Sequence, residues 1–390
     1  MVVARGGGGQ DGGSGELAAD GGAGVGDDVF DGDDVFRFLA EEAGLGRAGA
    51  LKVITKFPSV LNYSEVYLRR KVGYLAEDMG LMRAGAVKVI TGCPSVLGYS
   101  VENNIEPTVR YLEQGVGLGR DGAVKVIAKF PPVLDYSVEN NLRPTVRYLE
   151  VDVGLGRDGA VKVIAKFPQV LGYSVDNNLR PTVTYLVDDV GLGMDGAVKL
   201  ITKYPQTLGM SVVSNIAPKV RYLEEEVGLG RAGAVKVLAR CPSVLGCSVE
   251  DNIAPTVRFL AEEAGAGREG AATLILQRPN LLGYSIKHKL RPTLRFLSEH
   301  FPDTNAAKLV SLANYSLAGR LVPRVRLLRK HGQAGRFAAR SMATFISATF
   351  CEKVGITMEE YDDEVVACVR ENAEKHLGLE TGGGVRRRGG

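Results

Sequence analysis

The sequence predicts an all-α solenoid, a superhelix of about eight 37-residue helix-turn-helix repeats with short 3₁₀ turns. A motif of the form K-F-P-x-V-L-x-Y-S recurs, and its proline returns after 36 residues once and after 37 residues each later time. These marker prolines are Pro58, Pro94, Pro131, Pro168, Pro205, Pro242 and Pro279. A second proline series keeps the same spacing, at Pro107, Pro144, Pro181, Pro218, Pro255 and Pro292. A degenerate eighth copy places Val310 at the marker position. A fixed period of this size indicates stacked units that bury their apolar faces against one another.

The first helix of a unit is predicted from a serine cap and an apolar stripe. Ser137 is a good N-cap, and Val138, Leu142, Val146 and Leu149 follow at helical spacing. Pro144 lies inside this stripe, so it either kinks one helix or opens a second one. The continuous stripe favours a single kinked helix.

A glycine turn and a second helix complete the unit. The segment VGLGRDG, 153–159, supplies glycines for a C-terminal stop and a tight turn. A second helix is predicted from Asp158 to Phe167, ended by Pro168. The short stretch from Pro168 to Tyr173 fits a 3₁₀ turn. No segment alternates with period two, so strands are not expected.

Composition divides the chain into four predicted regions. Residues 1–34 form a Gly-rich acidic tail that we expect to be disordered, 35–335 the repeat array, 336–380 C-terminal capping helices and 381–390 a second disordered tail. The formal net charge is +3, but residues 1–34 hold eight acids and one base, a net −7, which leaves +10 for the remainder. A basic folded part favours a polyanionic partner. No apolar stretch approaches the roughly 20 residues that span a bilayer, so no membrane association is expected.

A glycine motif in the turn imitates a dinucleotide-binding fingerprint. Gly-x-Gly-x-x-Gly occurs six times, for example at Gly154, Gly156 and Gly159. That fingerprint requires a strand before the loop, whereas here a helix precedes every copy, so we interpret it as a structural turn. The cysteines and histidines show no metal-ligand spacing, and no nucleophile or phosphate-loop motif is present. We therefore expect no enzyme activity, cofactor or metal.

Basic residues recur at fixed positions of each unit. The first lysine series is Lys52, Lys88, Lys125, Lys162, Lys199 and Lys236, and a second series four residues later is Lys56, Lys129, Lys166, Lys203 and Arg240. Arginines open the second helix at Arg47, Arg83, Arg120, Arg157, Arg231 and Arg268, and others lie on the first helix at Arg110, Arg147, Arg221, Arg258, Arg295 and Arg326. Any one of them could belong to an ordinary solvated face. As a set they predict a basic track matching a phosphate backbone, with the lysine series and the arginines that open the second helix as candidate contacts.

These motifs together resemble one known family. The combination of P-x-x-L-x-x-S, N-N-L-x-P-x-V-x-Y-L and V-G-L-G, with L-V-P-R-V at 321–325, resembles the mitochondrial transcription termination factor (mTERF) family over about residues 35–370. The resemblance implies a basic groove that binds double-stranded DNA or RNA in mitochondria or chloroplasts, in transcription termination or RNA processing. It also implies organellar transcription or ribosome-assembly proteins as partners, and we expect a monomer. The Gly- and Asp-rich N-terminus differs from the Arg- and Ser-rich composition of transit peptides. The alternative interpretation is a protein-interaction scaffold built on an α-solenoid.

Overall fold

A computed structural model describes residues 32–376, and over this range the chain is helical with no strand. Each repeat contains a first helix, a second helix and a 3₁₀ turn. The second helices of repeats 1 to 8 are Gly46–Lys56, Met82–Gly92, Gly119–Lys129, Gly156–Lys166, Gly193–Lys203, Gly230–Arg240, Gly267–Gln277 and Ala306–Val310. The 3₁₀ turns are Pro58–Asn62, Pro94–Gly98, Pro131–Asp135, Pro168–Gly172, Pro205–Gly209, Pro242–Gly246, Pro279–Gly283 and Ser311–Asn314. The predicted solenoid of helix pairs is thereby confirmed.

The first helices combine α and π segments. Their α segments are Gly32–Arg37, Glu65–Gly73, Glu106–Arg110, Arg143–Arg147, Arg180–Thr184, Ala217–Arg221, Ala254–Ala261 and Arg291–His300. Leading π turns are Val101–Ile105, Val138–Leu142, Val175–Leu179, Val212–Ile216, Val249–Ile253 and Ile286–Leu290. Trailing π turns are Phe38–Glu42, Tyr74–Asp78, Tyr111–Gly115, Tyr148–Asp152, Tyr185–Asp189 and Tyr222–Glu226. The helix continues through Pro144, because Arg143–Arg147 follows Val138–Leu142 without a break. This confirms the prediction of a single first helix.

Repeat 2 has no leading π turn, and this accounts for the single 36-residue interval between marker prolines. In repeat 4 the Leu142 amide donates to the Ser137 carbonyl, five residues back, at 3.1 Å. In repeat 2 the Leu68 amide donates to the Ser64 carbonyl, four residues back, at 3.0 Å. Repeat 2 therefore lacks the one residue that a π turn adds, and its helix begins as an ordinary α-helix. Both serines cap their helices as predicted, and the Ser137 hydroxyl accepts from the Asn140 amide at 3.2 Å.

Glycines at the helix–helix turn take the left-handed conformation. Gly154 and Gly156 have φ of +78° and +63°, and the same pair of positions repeats in the other turns. The third glycine of the motif, Gly159, lies inside the second helix. This geometry confirms the structural interpretation of the Gly-x-Gly-x-x-Gly motif. Repeat 2 is an exception, because Met82 adopts a positive φ of 58° at the second glycine position.

Two compact units divide the chain, Met1–Val212 with repeats 1 to 5 and Val213–Gly390 with the rest. Within each unit, second helices of consecutive repeats pack against each other in sequence order, and so do the 3₁₀ turns. Side chains such as Val126, Ile127 and Leu149 are fully or almost fully buried in the first unit. The continuous apolar layer of each unit is thus formed between repeats, as expected for a solenoid.

An aromatic pair and a glycine interlock consecutive repeats. The Phe167 and Tyr173 rings lie 6.0 Å apart at the two ends of one 3₁₀ turn. The Tyr173 hydroxyl reaches the next repeat, where a Cβ on Gly209 would lie 2.6 Å from it. Tyr136 and Gly172 repeat this relationship at the same 2.6 Å. The glycine at this position therefore leaves room for the tyrosine of the preceding repeat.

Repeats 2 and 3 replace this interlock with a polar cluster. Cys93 stands in place of the phenylalanine and Asp135 in place of the glycine. Oδ1 of Asp135 accepts from the Tyr99 hydroxyl and the Ser95 hydroxyl, both at 2.7 Å, and from the Cys93 thiol at 3.1 Å. Burial, together with the Asp135 carboxylate, raises the pKa of Cys93 to about 12. The smaller cysteine leaves space that the larger aspartate occupies.

The C-terminal helices Val322–Lys330, Ala339–Thr344, Ser347–Val354 and Met358–His376 follow a last π turn, Leu317–Leu321. Arg324 is fully buried at the centre of this region. Its Nη1 donates to the carbonyl oxygens of Met342 at 2.7 Å and Phe345 at 2.8 Å. Its guanidinium carbon lies 4.8 Å from the centre of the Phe350 ring. Desolvation lowers the pKa of Arg324, because burial disfavours its charged form.

The predicted tails lie mostly outside the described residues. Residues 1–31 and 377–390 are beyond the described range, so the disorder predicted for them stays a prediction. Gly32–Arg37 is helical, so the last three residues assigned to the tail, 32–34, belong to the first helix. In the described range 32–376, no helix is long and apolar enough to cross a membrane.

Candidate nucleic-acid interface

The first lysine series lies on the outer side of the second helices. In Gly119–Lys129, the residues Ala123, Val126 and Ile127 are buried, and Lys125 lies on the opposite side of the helix, exposed. The same holds in the other repeats for Lys52, Lys88, Lys162, Lys199 and Lys236. None of these six amines makes a hydrogen bond or ion pair within the part of the chain that the structure describes. Their charges are available to an external partner.

Stacking of the second helices places five of these lysines in a row in the first unit. In the first unit the helices pack consecutively from Gly46–Lys56 to Gly193–Lys203. The equivalent positions of neighbouring helices therefore face the same side. In the second unit Lys236 lies on Gly230–Arg240, which packs on Gly267–Gln277. The predicted row of lysines thus has a structural basis, while its role in binding stays a prediction.

The second lysine series has a different environment, although it lies only one turn away. Nζ of Lys129 donates to the Ala165 carbonyl at 2.9 Å, and Nζ of Lys166 donates to the Thr202 carbonyl at 3.1 Å. In the second unit Nη1 of Arg240 donates to the Leu276 carbonyl at 2.9 Å. Each cation thereby caps the C-terminus of the second helix in the next repeat, where carbonyls lack partners and the helix dipole is negative. Lys56 and Lys203 are also exposed at this position.

Four of the arginines that open the second helix connect to the preceding repeat instead. Arg157 donates to the Gln114 carbonyl at 2.8 Å, and Arg120 donates to the Asp78 carbonyl at 2.5 Å. Arg268 reaches the Glu226 carbonyl at 3.0 Å, and Arg83 bonds the Glu42 carbonyl. Arg231 differs, because it lies 3.9 Å from a Glu224 carboxylate oxygen of its own repeat. The other four guanidiniums cap the first helix of the repeat before, so phosphate contacts would have to compete with or share these bonds.

The three series occupy the same position in every repeat, so the sequence alone predicts one role for all of them. The helix capping by the second lysine series and by the arginines is not visible in the sequence, because the partner carbonyl belongs to a repeat about 36 to 43 residues away. One sequence signal was present: Lys129 and Lys166 fall in the last turn of their helices, where cations often cap carbonyls.

Arginines of the first helices divide into paired and unpaired members. Arg110 pairs with Glu106 at 2.9 Å and Arg326 with Glu371 at 2.7 Å. The guanidinium groups of Arg147, Arg221 and Arg258 make no hydrogen bond or ion pair among the described residues. These three form a second, smaller set of available cations.

Acidic neighbours reduce the positive charge along part of the first lysine series. Lys125, Lys162 and Lys199 each follow an aspartate by four residues, at Asp121, Asp158 and Asp195. Alanines occupy this position before Lys52, Lys88 and Lys236, at Ala48, Ala84 and Ala232. Since residues four apart are neighbours on a helix, the field is strongest at repeats 1, 2 and 6.

No group of three or more His, Cys, Asp or Glu side chains in residues 32–376 could hold a metal ion. The five cysteines are unpaired thiols in the described range, and burial raises the pKa of Cys368 to about 11.

Stacked helix pairs that repeat along the chain define the class of α-helical repeat proteins. The mTERF family model matches residues 33–188 and 135–350. The chain therefore belongs to the mTERF family, whose members are organellar, non-enzymatic nucleic-acid-binding proteins in general. No curated protein matches the chain in a direct sequence comparison.

Proposed function

We propose that this protein regulates organellar gene expression by binding double-stranded DNA or RNA through the first lysine series. Its action would lie in transcription termination, transcription regulation or RNA processing, in a chloroplast or mitochondrion. The observation that supports it is the row of exposed lysines without intramolecular partners on stacked second helices. Family membership supports the class of ligand.

The chemistry of lysine favours contacts with phosphates over contacts with base edges. The ammonium group is a compact point charge on a flexible stem, and phosphate contacts position a protein without reading sequence. Repeats 3 and 4 also have identical second helices, GRDGAVKVIAK, at 119–129 and 156–166. Near-identical units offer the same side chain at each step, so we expect binding to tolerate many sequences.

Charge reversal of three lysines tests this proposal. The triple variant K125E/K162E/K199E should bind every duplex sequence more weakly than the parent protein does. The slope of log affinity against log salt concentration should flatten by about 0.9 for each lost contact on duplex DNA. Fluorescence anisotropy with labelled DNA and RNA duplexes, at several salt concentrations, measures both quantities.

Two results would redirect the interpretation. Full affinity with an unchanged salt slope would make the first lysine series a solvated face, and Arg147, Arg221 and Arg258 would be substituted next. If those changes also left binding intact, the duplex would contact another surface of the protein. A parent protein that bound neither duplex would favour the scaffold function.

A further inference from the structure

A groove in the second unit lies between the first helix of repeat 8, 286–300, and the segment 311–318 that follows it. Its volume is about 630 Å³, within the range of small-molecule sites. Its lining includes Lys287, Lys289, Thr293 and Asn314. Of the described residues that line it, none is acidic. The groove therefore favours an anionic ligand.

Two buried polar atoms in this groove have no hydrogen-bond partner among the described residues. Thr293 is fully buried, and its Oγ1 is unpaired. Oδ1 of Asn314 is also buried and unpaired. At the equivalent position in repeat 3, the Thr108 hydroxyl donates to the Asn104 carbonyl at 3.1 Å. A buried unpaired polar group costs about 1–3 kcal/mol, so partners for the Thr293 and Asn314 oxygens would stabilise this groove.

Repeat 8 places basic residues where the corresponding groove has neutral or acidic ones. The corresponding groove between repeats 3 and 4 is lined by Asn103, Asn104 and Glu139, and Glu139 pairs with Arg143 at 2.9 Å. Repeat 8 carries His288 and Lys289 at the places of the two asparagines, and Lys287 at the place of Glu102.

The two lysines differ in their surroundings. Lys287 is exposed, while Lys289 is partly buried with Nζ 3.7 Å from the centre of the Tyr284 ring. The ammonium group of Lys289 beside the ring and the exposed ammonium group of Lys287 can both approach an oxyanion.

We propose that this groove binds a nucleoside monophosphate, either free or as the terminal nucleotide of a strand. The phosphate lies at Lys287 and Lys289, because ammonium groups form charge-assisted hydrogen bonds with its oxygens. The Asn314 oxygen requires an N–H or O–H donor, which a base or ribose supplies and a phosphodiester oxygen does not. The Thr293 hydroxyl can donate or accept. This site lies apart from the lysine series and goes beyond the function proposed above.

Direct binding of defined nucleotides to the full chain tests the proposal. The four nucleoside 5′-monophosphates, their nucleosides and inorganic phosphate are compared by isothermal titration calorimetry. At least one monophosphate should bind more tightly than its nucleoside and more tightly than inorganic phosphate. Lys287→Ala should weaken that binding about tenfold, since the bond involves charged partners, and Thr293→Val about threefold.

Thr293→Val separates binding from folding. The valine keeps the shape and removes the unpaired hydroxyl, so the variant should be as stable as the parent or more stable. Thr108→Val is the matched control, because it removes a satisfied hydroxyl at the same position of repeat 3 and should leave nucleotide binding unchanged. A Thr293→Val variant that binds as tightly as the parent would overturn the site, and so would equal binding of inorganic phosphate and every monophosphate.

Competition identifies the source of the nucleotide. Displacement of the bound monophosphate by a 5′-phosphorylated oligonucleotide, and not by its 5′-hydroxyl form, would assign the groove to strand ends. A monophosphate that neither oligonucleotide displaces would assign it to the free nucleotide. The K125E/K162E/K199E variant should bind the monophosphate normally, which keeps this result independent of the lysine series. Loss of monophosphate binding in that variant would contradict the proposal.

Discussion

Nζ of Lys129 donates a hydrogen bond to the Ala165 carbonyl at 2.9 Å, which connects the second helices of repeats 3 and 4. Lys125, one turn earlier on the same helix, makes no such bond among the described residues. Two lysines on one helix therefore differ in their contacts: Lys129 caps a neighbouring helix, and the Lys125 amine has no partner among the described residues.

Substitution of the capping lysines should lower the free energy of unfolding and have a smaller effect on duplex affinity. K129M/K166M removes two bonds to helix C-termini and should cost on the order of 1 kcal/mol in total. The matched variant K125M/K162M should leave the urea unfolding midpoint unchanged and weaken duplex binding more. Identical effects of the two double variants on both measurements would contradict the division between the series.

The interlocking glycines should differ sharply in their tolerance of alanine. Gly172→Ala places a Cβ 2.6 Å from the Tyr136 hydroxyl and should destabilise the first unit by about 1–2 kcal/mol. Gly283→Ala is the control in the second unit, because a Cβ there meets nothing within 4 Å, with Cys241 and Cys247 in place of the aromatic pair before it. We expect its effect on the urea midpoint to be small. Equal losses at both positions would show that the ring contact does not matter.

Replacing Met82 by glycine should stabilise the protein. Met82 has φ of 58°, which costs a residue with a Cβ about 1–2 kcal/mol relative to glycine. Met82→Gly should therefore raise the urea midpoint by an amount equivalent to about 1 kcal/mol. Met194→Gly, one position later in the repeat and without a positive φ, should lower it. A decrease for both variants would argue against strain at Met82.

Removing the buried guanidinium should release the C-terminal helices. Arg324→Met leaves the Met342 and Phe345 carbonyls without their donor and should cost about 3 kcal/mol. Hydrogen exchange of residues 339–354, followed by mass spectrometry, should accelerate most. Arg329→Met changes an exposed residue of the same helix and serves as the control. Unaltered exchange in Arg324→Met would show that packing alone holds these helices.

Local chemistry made much of the repeat predictable. The marker prolines predicted the 3₁₀ turns, the serines predicted the caps, and the turn glycines predicted left-handed residues. The π turn was harder, because one extra residue in Ser137–Leu142 leaves the apolar stripe intact while shifting the hydrogen bond by one residue.

Contacts between repeats explain what sequence could not predict. Lys129 acts on a carbonyl 36 residues away, and Arg324 acts on carbonyls 18 and 21 residues away. A side chain's periodic position does not reveal which backbone group it will meet, since that depends on the stacking of the next unit. The binding role of the lysine series therefore remained a prediction, while their helical placement followed from the sequence.

The Cys93 and Asp135 exchange also limits how this array can be shortened. Deleting repeat 3 would join Cys93 and Tyr99 to Gly172, which leaves a gap where the carboxylate was and strips two hydroxyls of their acceptor. Deleting repeat 4 would join Phe130 and Tyr136 to Gly209, a junction equivalent to the one already formed with Gly172. Adjacent repeats with similar sequences therefore depend on particular residues of their neighbours. We expect loss or duplication of a whole repeat to be tolerated at some junctions and not at others.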